Sequence, residues 1–255
     1  MALPPLPLGR YYPDAAPPQT PSDVGIVMPS LLRPELPRAL RSIYDQDFKG
    51  RIQVMIGVDV AEGRLEDFEA VFAERPDNVS ITILTLPYST SMRHGGVHHA
   101  LDGGSLRSIL GYSANAAHIA FLDDDNTYLP NHISLLHGAI QDRVWASGQR
   151  ILVDEDTEQH LAIDVWDSVG PGKGRFKDRG GFIDTNCLMV DKLRIGSALG
   201  DWSHAGTGQP GLTADRTFFR TIAGRKYAMV MRPTVLYRIR RNNIMWNFIR
   251  EKTVF

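Results

Sequence analysis

The stretch that most limits what this chain can become lies at 118–126, where His-Ile-Ala-Phe-Leu runs directly into Asp123, Asp124, Asp125 and Asn126. An apolar run of this kind belongs in a core, whereas three adjacent carboxylates are costly to bury without partners. Both demands are met if the run is an interior strand and the aspartates project from its exposed end, facing something positive. A divalent cation meets that need. Oxygen-only donors at a strand terminus suit Mg²⁺ or Mn²⁺, whose remaining positions go to water or to substrate phosphates. An acidic loop that merely follows a buried strand is the competing reading.

The surrounding pattern supplies the rest of a sheet. From Val24 onward short apolar runs alternate with longer amphipathic ones. The spacing predicts strands over 24–28, stopped by Pro29, and over 52–58, leading to Asp59. Further strands are expected over 79–86 and 119–122. Helices are expected over 34–45, with Leu36, Leu40, Ile43 and Tyr44 on one face, and over 65–73, 105–117 and 130–141. Strands separated by helices imply crossover connections and a parallel sheet. In such sheets ligands gather outside the carboxyl ends of the strands. Pro29 with Ser30, Asp59 and the acidic triplet all fall at such ends, so three elements distant in sequence are expected to line one crevice.

Composition narrows the classes. A chain of 255 residues with 43% hydrophobic content can bury one substantial core. Its 28 Lys+Arg against 29 Asp+Glu give no overall pull toward nucleic acid. The single cysteine, Cys187, excludes an internal disulfide framework and fits a reducing compartment. No apolar span is long enough for a membrane helix, and prolines at 4, 5, 7, 13, 17, 18 and 21 break the opening segment, so a cytoplasmic protein is expected. Residues 1–22 read as a proline-rich arm, disordered or laid along the surface and outside the fold proper.

Two ligand classes lack their signatures. The residues after the first strand, 29–33, carry none of the spaced glycines that let a backbone approach a pyrophosphate, which argues against an NAD enzyme and weakens a sugar-nucleotide pyrophosphorylase. The histidines at 94, 98 and 99 lie among Gly95, Gly96, Gly103 and Gly104. That setting suits a loop at the mouth of a site better than a rigid zinc cage. The glycine-rich stretch at 169–175 lacks the full phosphate-loop pattern; it is either a surface connection or a loop touching acceptor or diphosphate.

Taken as an ordered set, Val27-Met28-Pro29-Ser30 with Arg33, Asp59, Arg107 and Phe121-Leu122-Asp123-Asp124-Asp125 resembles the family 2 glycosyltransferases of the GT-A fold, over about 24–240. Thr213-Ala214-Asp215-Arg216 resembles the family's short acidic motif that supplies a catalytic base, and Gly181-Phe182-Ile183-Asp184 its acceptor-side strand region. The resemblance implies an α/β, Rossmann-type sandwich with a mostly parallel central sheet and a mixed acceptor-side sheet. It places a nucleotide-binding half up to about residue 125, an acceptor-binding half to 240, and a basic, aromatic tail over 241–255.

The implied activity is metal-dependent, inverting transfer of a sugar from a nucleotide diphosphate donor, with a UDP-sugar favoured, to a hydroxyl acceptor. The alternatives are a nucleotidyltransferase and a catalytically silent nucleotide-sugar or glycan-binding protein. By resemblance Pro29 and Ser30 pack around the nucleoside, Asp59 accepts a hydrogen bond from the base, and Arg33 and Arg107 lie near base, ribose or phosphate. Asp124 helps hold ribose and sugar, while Asp123 and Asp125 form the DxD pair that binds Mn²⁺ or Mg²⁺, Asp125 being the more direct ligand. Asp215 is the candidate base, and Asp184, Trp202 and Arg216 are the candidate acceptor contacts. The chemistry is coherent: a carboxylate is a strong acceptor for an imide N–H, a cation neutralises the departing diphosphate, and an acceptor hydroxyl needs a base. The acceptor is a glycan, a lipid-linked molecule or a small molecule, with no role for nucleic acid.

Two departures stand out. Relatives commonly place a metal-binding histidine after the last sheet strand, yet no histidine follows His204, and Tyr237-Arg238-Ile239-Arg240-Arg241 occupies that region. Asp215 also stands alone, preceded by Ala214, where many relatives have an adjacent acid. The tail mixes arginines with Trp246, Phe248 and Ile249, which reads either as a segment packed on the core or as a peripheral membrane contact.

Overall fold

The computed structural model describes residues 9–100, 103–204 and 213–252. The chain opens with β1 (Gly9–Tyr12) and β2 (Ser22–Ser30), then α1 (Leu36–Tyr44), β3 (Ile52–Val58), α2 (Glu69–Ala73) and β4 (Val79–Thr85). After a loop come α3 (Gly104–Ser113), β5 (Ala116–Phe121), β6 (Thr127–Tyr128) and α4 (His132–Ile140). The second half contains β7 (Trp145–Asp154), β8 (His160–Ile163), β9 (Gly170–Pro171), β10 (Gly181–Phe182) and β11 (Leu188–Asp191). It closes with α5 (Lys192–Ile195), α6 (Ala214–Ile222), β12 (Tyr227–Ile239) and α7 (Met245–Lys252).

One ten-stranded sheet carries both halves, in the order β1-β4-β3-β2-β5-β11-β7-β12-β6, with β8 added on β7. Strands β4, β3, β2 and β5 are parallel, as the crossover helices require. The later half is mixed: β11 runs antiparallel to both β5 and β7, while β12 is parallel to β7 and antiparallel to β6. Strands β9 and β10 form a separate two-stranded ribbon. The chain winds outward from β2 through β3 to β4, then returns to place β5 on the other side of β2. The carboxyl ends of β2 and β5 therefore part, leaving the crevice of a topological switch point.

The apolar pattern accounts for this arrangement. Val24, Ile26, Val54, Ile56, Ile81 and Ile119 are fully or almost fully enclosed, as strands covered on both faces must be. Leu36, Leu40 and Ile43 face the core from α1, and Leu106 and Leu110 from α3. Gly57 admits α3 closely, since a β-carbon there would stand 2.8 Å from Leu110 Cδ1.

Three expectations change. Pro29 does not end the first strand; it pairs with Gly57 of β3 beyond the point where β5 stops at Phe121, so its missing N–H removes no interior bond. Ala116 and Ala117, read as helical, begin β5 because α3 ends at Ser113. The arm is not outside the fold from Gly9 onward. Gly9–Tyr12 pairs antiparallel with β4, Arg10 reaches Glu66 at 2.9 Å, and Arg51 holds the buried carboxylate of Asp14 at 2.8 Å. Residues 1–8 lie outside the described chain.

The tail from 241 packs on the body. Met245 and Phe248 of α7 are buried, Phe248 stacks on Trp166 with ring centroids 5.3 Å apart, and Met245 joins Leu152 and Ile239 in a small second core. Among the described residues no helix is long and apolar enough to cross a membrane.

Candidate active site

The crevice at the ends of β2, β3 and β5 is a cleft of about 280 Å³. Its walls include Pro29, Ser30, Arg33, Asp59, Arg107, Asp123, Asp124 and Asp125, together with Arg93, His94, Gly103, Asn126, Tyr237 and Arg238. The donor-side residues singled out in the sequence thus come together in one place. Each arrives for a local reason: Ser30 ends β2, Asp59 follows β3, Arg107 stands on the first turns of α3, and the triplet follows β5.

The three aspartates have different surroundings. Asp124 turns toward β2, where its Oδ2 accepts from Ser30 Oγ at 2.7 Å and from the Leu31 N–H at 3.1 Å. Burial raises its pKa while these two donors oppose the rise. Asp123 is braced on both sides, by the Arg107 guanidinium on Oδ1 and by Asn186 Nδ2 on Oδ2 at 3.0 Å. Asp125 has the least local support. Arg33 and Arg240 stand 3.8 Å from its Oδ2, too far for hydrogen bonds, and Asn126 Nδ2 donates to its Oδ1 at 3.0 Å. Burial, followed by the charges of Asp123 and Asp124, pushes its pKa up to about 7. A carboxylate in such a position gains from an added positive charge.

That imbalance bears on a metal. Among the described residues no three His, Cys, Asp or Glu side chains converge into a ready-made cage. Asp124 faces β2 and both oxygens of Asp123 already accept hydrogen bonds, so Asp125 is the carboxylate facing the cleft with a charge to balance. A hard cation held chiefly by Asp125, through oxygens and with phosphate and water in its other positions, fits this donor set; a tetrahedral zinc cage does not. His94 lines the cleft mouth, as expected of its loop.

The region where a histidine was expected brings arginines instead. Strand β12 delivers Tyr237 and Arg238 to the cleft, and Arg240 follows just past its end. The Arg238 N–H donates to Asn126 Oδ1 at 2.9 Å, and its guanidinium grips Glu158 at 2.7 Å. Glu158 also receives Arg38 at 2.8 Å, tying α1 to β12 behind the triplet. Arg33 and Arg238 thus bring positive charge to the cleft wall, and Arg240 stands 3.8 Å from Asp125 Oδ2.

The residues assigned to the acceptor side are placed differently. Asp184 is buried, and Arg150 Nη1 reaches its Oδ2 at 2.6 Å. Burial and the neighbouring charge of Asp123 push its pKa up to about 6 despite that arginine. Trp202 is 1% exposed, stacked on Phe218 at 4.1 Å and under the Arg107 guanidinium at 5.4 Å. Asp184 and Trp202 are both enclosed, Trp202 against the Arg107 guanidinium that lines the cleft. Arg216 lies over the Phe176 ring at 4.1 Å, where α6 meets the loop between β9 and β10.

Asp215 sits in the first turn of α6, held by the Thr213 hydroxyl and by the Arg216 N–H at 2.8 Å. It does not line the cleft itself, but its helix starts at the rim. A β-carbon on Gly104 would stand 3.1 Å from Ala214 Cβ, and one on neighbouring Gly103 would stand 2.7 Å from Pro29 Cβ. The start of α6, the start of α3 and the end of β2 therefore meet at one corner.

Sequence reasoning missed Arg38, Arg150, Glu158, Asp164, Asp167 and Asn186. Arg150 is 1% exposed inside β7, and its guanidinium meets Asp164, Asp167 and Asp184 at 2.6–2.8 Å. An arginine within the run Ala146 to Val153 was the available signal, since a charge in a buried strand demands partners.

No family model matches the chain, and no curated protein does. Solved structures do resemble it. The N-terminal 1–349 segment of TarS from S. aureus has a TM-score of 0.60 at 11% identity, over 85% of this chain and 60% of that one. The same segment in complex with UDP-GlcNAc gives 0.60 over 88% of this chain. The mannosyltransferase PcManGT from Pyrobaculum calidifontis, in complex with GDP-Man and Mn²⁺, gives 0.56 at 14% identity over 94% of this chain and 63% of its own. The chain thus spans about 60% of the length of these structures. Likeness at these identities establishes the fold, a mixed α/β sheet of the GT-A type.

Proposed function

We propose that the chain is a metal-dependent, inverting glycosyltransferase that moves a sugar from a nucleotide diphosphate donor to a hydroxyl acceptor. The observation that carries this reading is the meeting of Ser30, Asp59, Arg107 and the acidic triplet at the β2/β5 switch point, with Asp125 short of positive charge. The fold's neighbours, solved in complex with UDP-GlcNAc and with GDP-Man and Mn²⁺, support a nucleotide-sugar donor.

In this reading Pro29 and Ser30 form one wall of the nucleoside site, and Asp59 accepts a hydrogen bond from the base. Asp124 fixes the end of β2 through Ser30 and Leu31, and thereby the floor beneath ribose and sugar. Asp125, backed by Asp123, holds Mn²⁺ or Mg²⁺, which when bound offsets the charge that develops on the leaving diphosphate. Arg33, Arg238 and Arg240 stand around the same phosphates, where guanidinium groups match paired oxygens. Asp215 takes the proton of the acceptor hydroxyl as that oxygen attacks the anomeric carbon from the side opposite the nucleotide. With Asp215 as base and no covalent nucleophile assigned among the described residues, the reaction is one displacement with an inverted product. UDP-sugars are the first donors to test.

Incubation with UDP-, GDP- and dTDP-sugars, with Mn²⁺ or with EDTA, is expected to release nucleoside diphosphate only when the metal is present. Consumption of a nucleoside triphosphate with pyrophosphate release would point to nucleotidyl transfer instead. Binding without turnover of any donor would leave a silent sugar-nucleotide binder.

A further inference from the structure

We propose that Asn186 is the positioning residue that fixes the acidic triplet to the second half of the sheet and so presents Asp125 to a nucleotide-bound cation; this rests on the transferase reading above. Asn186 is fully enclosed on a short turn (Thr185–Cys187) between β10 and β11. Its Oδ1 accepts the Asp123 backbone N–H at 2.7 Å, and its Nδ2 donates to Asp123 Oδ2 at 3.0 Å and to Asp184 Oδ1 at 2.9 Å. One side chain therefore holds both the backbone and the carboxylate of the residue two positions before Asp125.

The chemistry of this position selects an amide. It must accept from an N–H and donate to two carboxylates at once. An aspartate there would place a third carboxylate against two others, a leucine of similar volume would bond neither, and a glutamine adds a methylene to a side chain that is fully enclosed. The far end of the contact is anchored as firmly as the near one. The Asp184 N–H donates to Ser168 Oγ at 2.8 Å, and Arg150, which holds Asp184, lies 4.1 Å from the Tyr237 ring that faces the cleft. The contacts Asp123–Asn186–Asp184–Arg150–Tyr237 thus run beneath the cleft from β5 to β12. Supporting residues of this kind, which touch neither metal nor substrate, typically change metal affinity about 10- to 100-fold when removed.

Calorimetric titration of the full-length protein with UDP and with GDP, each with and without Mn²⁺, tests this in wild type, Asn186→Ala and Asn186→Leu. The expected result is a loss of at least about tenfold in the Mn²⁺-dependent gain of nucleotide affinity in both variants. Metal-free nucleotide affinity is expected to stay close to that of wild type. A role confined to holding the fold would lower both affinities together, and that outcome, or no change in either, overturns the proposal. If wild type itself shows no Mn²⁺-dependent gain, the transferase reading fails and this inference with it. A gain present in wild type and intact in the variants removes this inference alone. Should neither variant fold, wild-type protein labelled with ¹⁵N supplies the measurement. The Asn186 side-chain amide resonances should move when Mg²⁺ and UDP are added together, and resonances that stay in place would refute the assignment.

Discussion

The charge on Asp125 is the clearest quantity to perturb. Its carboxylate is crowded by Asp123 and Asp124 with only distant arginines to oppose them, so Asp125→Asn relieves repulsion in the metal-free protein. That variant is expected to be more stable than wild type by roughly 1 kcal/mol without metal, and to lose about 100-fold or more in donor turnover with Mn²⁺. Denaturant melts beside a diphosphate-release assay measure both, and a destabilised but active variant would contradict the assignment. His132 offers a test of opposite character. It is completely buried, stacked on Tyr128 at 3.7 Å and bonded to Thr234 Oγ1 at 3.0 Å, and burial lowers its pKa to about 3. A base whose folded pKa is depressed stabilises the fold above its unfolded value near 6.5, and loses that contribution as pH falls below it, since the unfolded chain then binds the proton first. The stability advantage of wild type over His132→Gln should therefore shrink by up to about 1.4 kcal/mol per pH unit between about pH 6.5 and 4. Parallel stability profiles for the two proteins would exclude it.

Among the elements, α7 and α3 carry the most direct consequences. Phe248 of α7 packs on Trp166 beside the Leu152, Ile239 and Met245 cluster, so Phe248→Ala is expected to cost about 3 kcal/mol in chemical denaturation. If α7 serves mainly as this cover, the same variant should bind anionic vesicles no less than wild type does. The N-terminus of α3 is equally tight, because a β-carbon on Gly104 would stand 2.2 Å from the Trp202 carbonyl. Gly104→Ala should cost about 1–3 kcal/mol and, since Arg107 rides over Trp202 one turn later, weaken nucleotide binding as well. These elements also show why the chain was only half legible as a sequence. Strands β2 to β5 are largely apolar runs, and the ends of β2, β3 and β5 line one cleft, so periodicity located the strands and the crevice they border. In the second half β9 and β10 are two residues each, and β12 carries a proline and several partly exposed positions, so neither gives a clear period. Asn186 meets Asp123 across 63 positions, and Arg150 finds its three carboxylate partners in two later segments. Contacts of that range depend on packing that no local pattern encodes. The arm was misjudged for a related reason: prolines mark residues 13–21, yet Gly9–Tyr12 pairs through its backbone, which composition does not reveal.

At the scale of the whole molecule, the union of the two halves through β11 has a mechanical outcome. Met189 and Val190 are laddered to β5 on one side and to β7 on the other, so the strands bearing the triplet and the strands bearing Arg150 and Tyr237 form a single beam. A protein whose substrates bind on separate lobes can bring them together by hinging. This one has no such joint between β5 and β12 among the described residues, so in the proposed reaction it falls to the rim, the segment carrying Arg93 and His94 and the start of α6, to bring the two substrates into register.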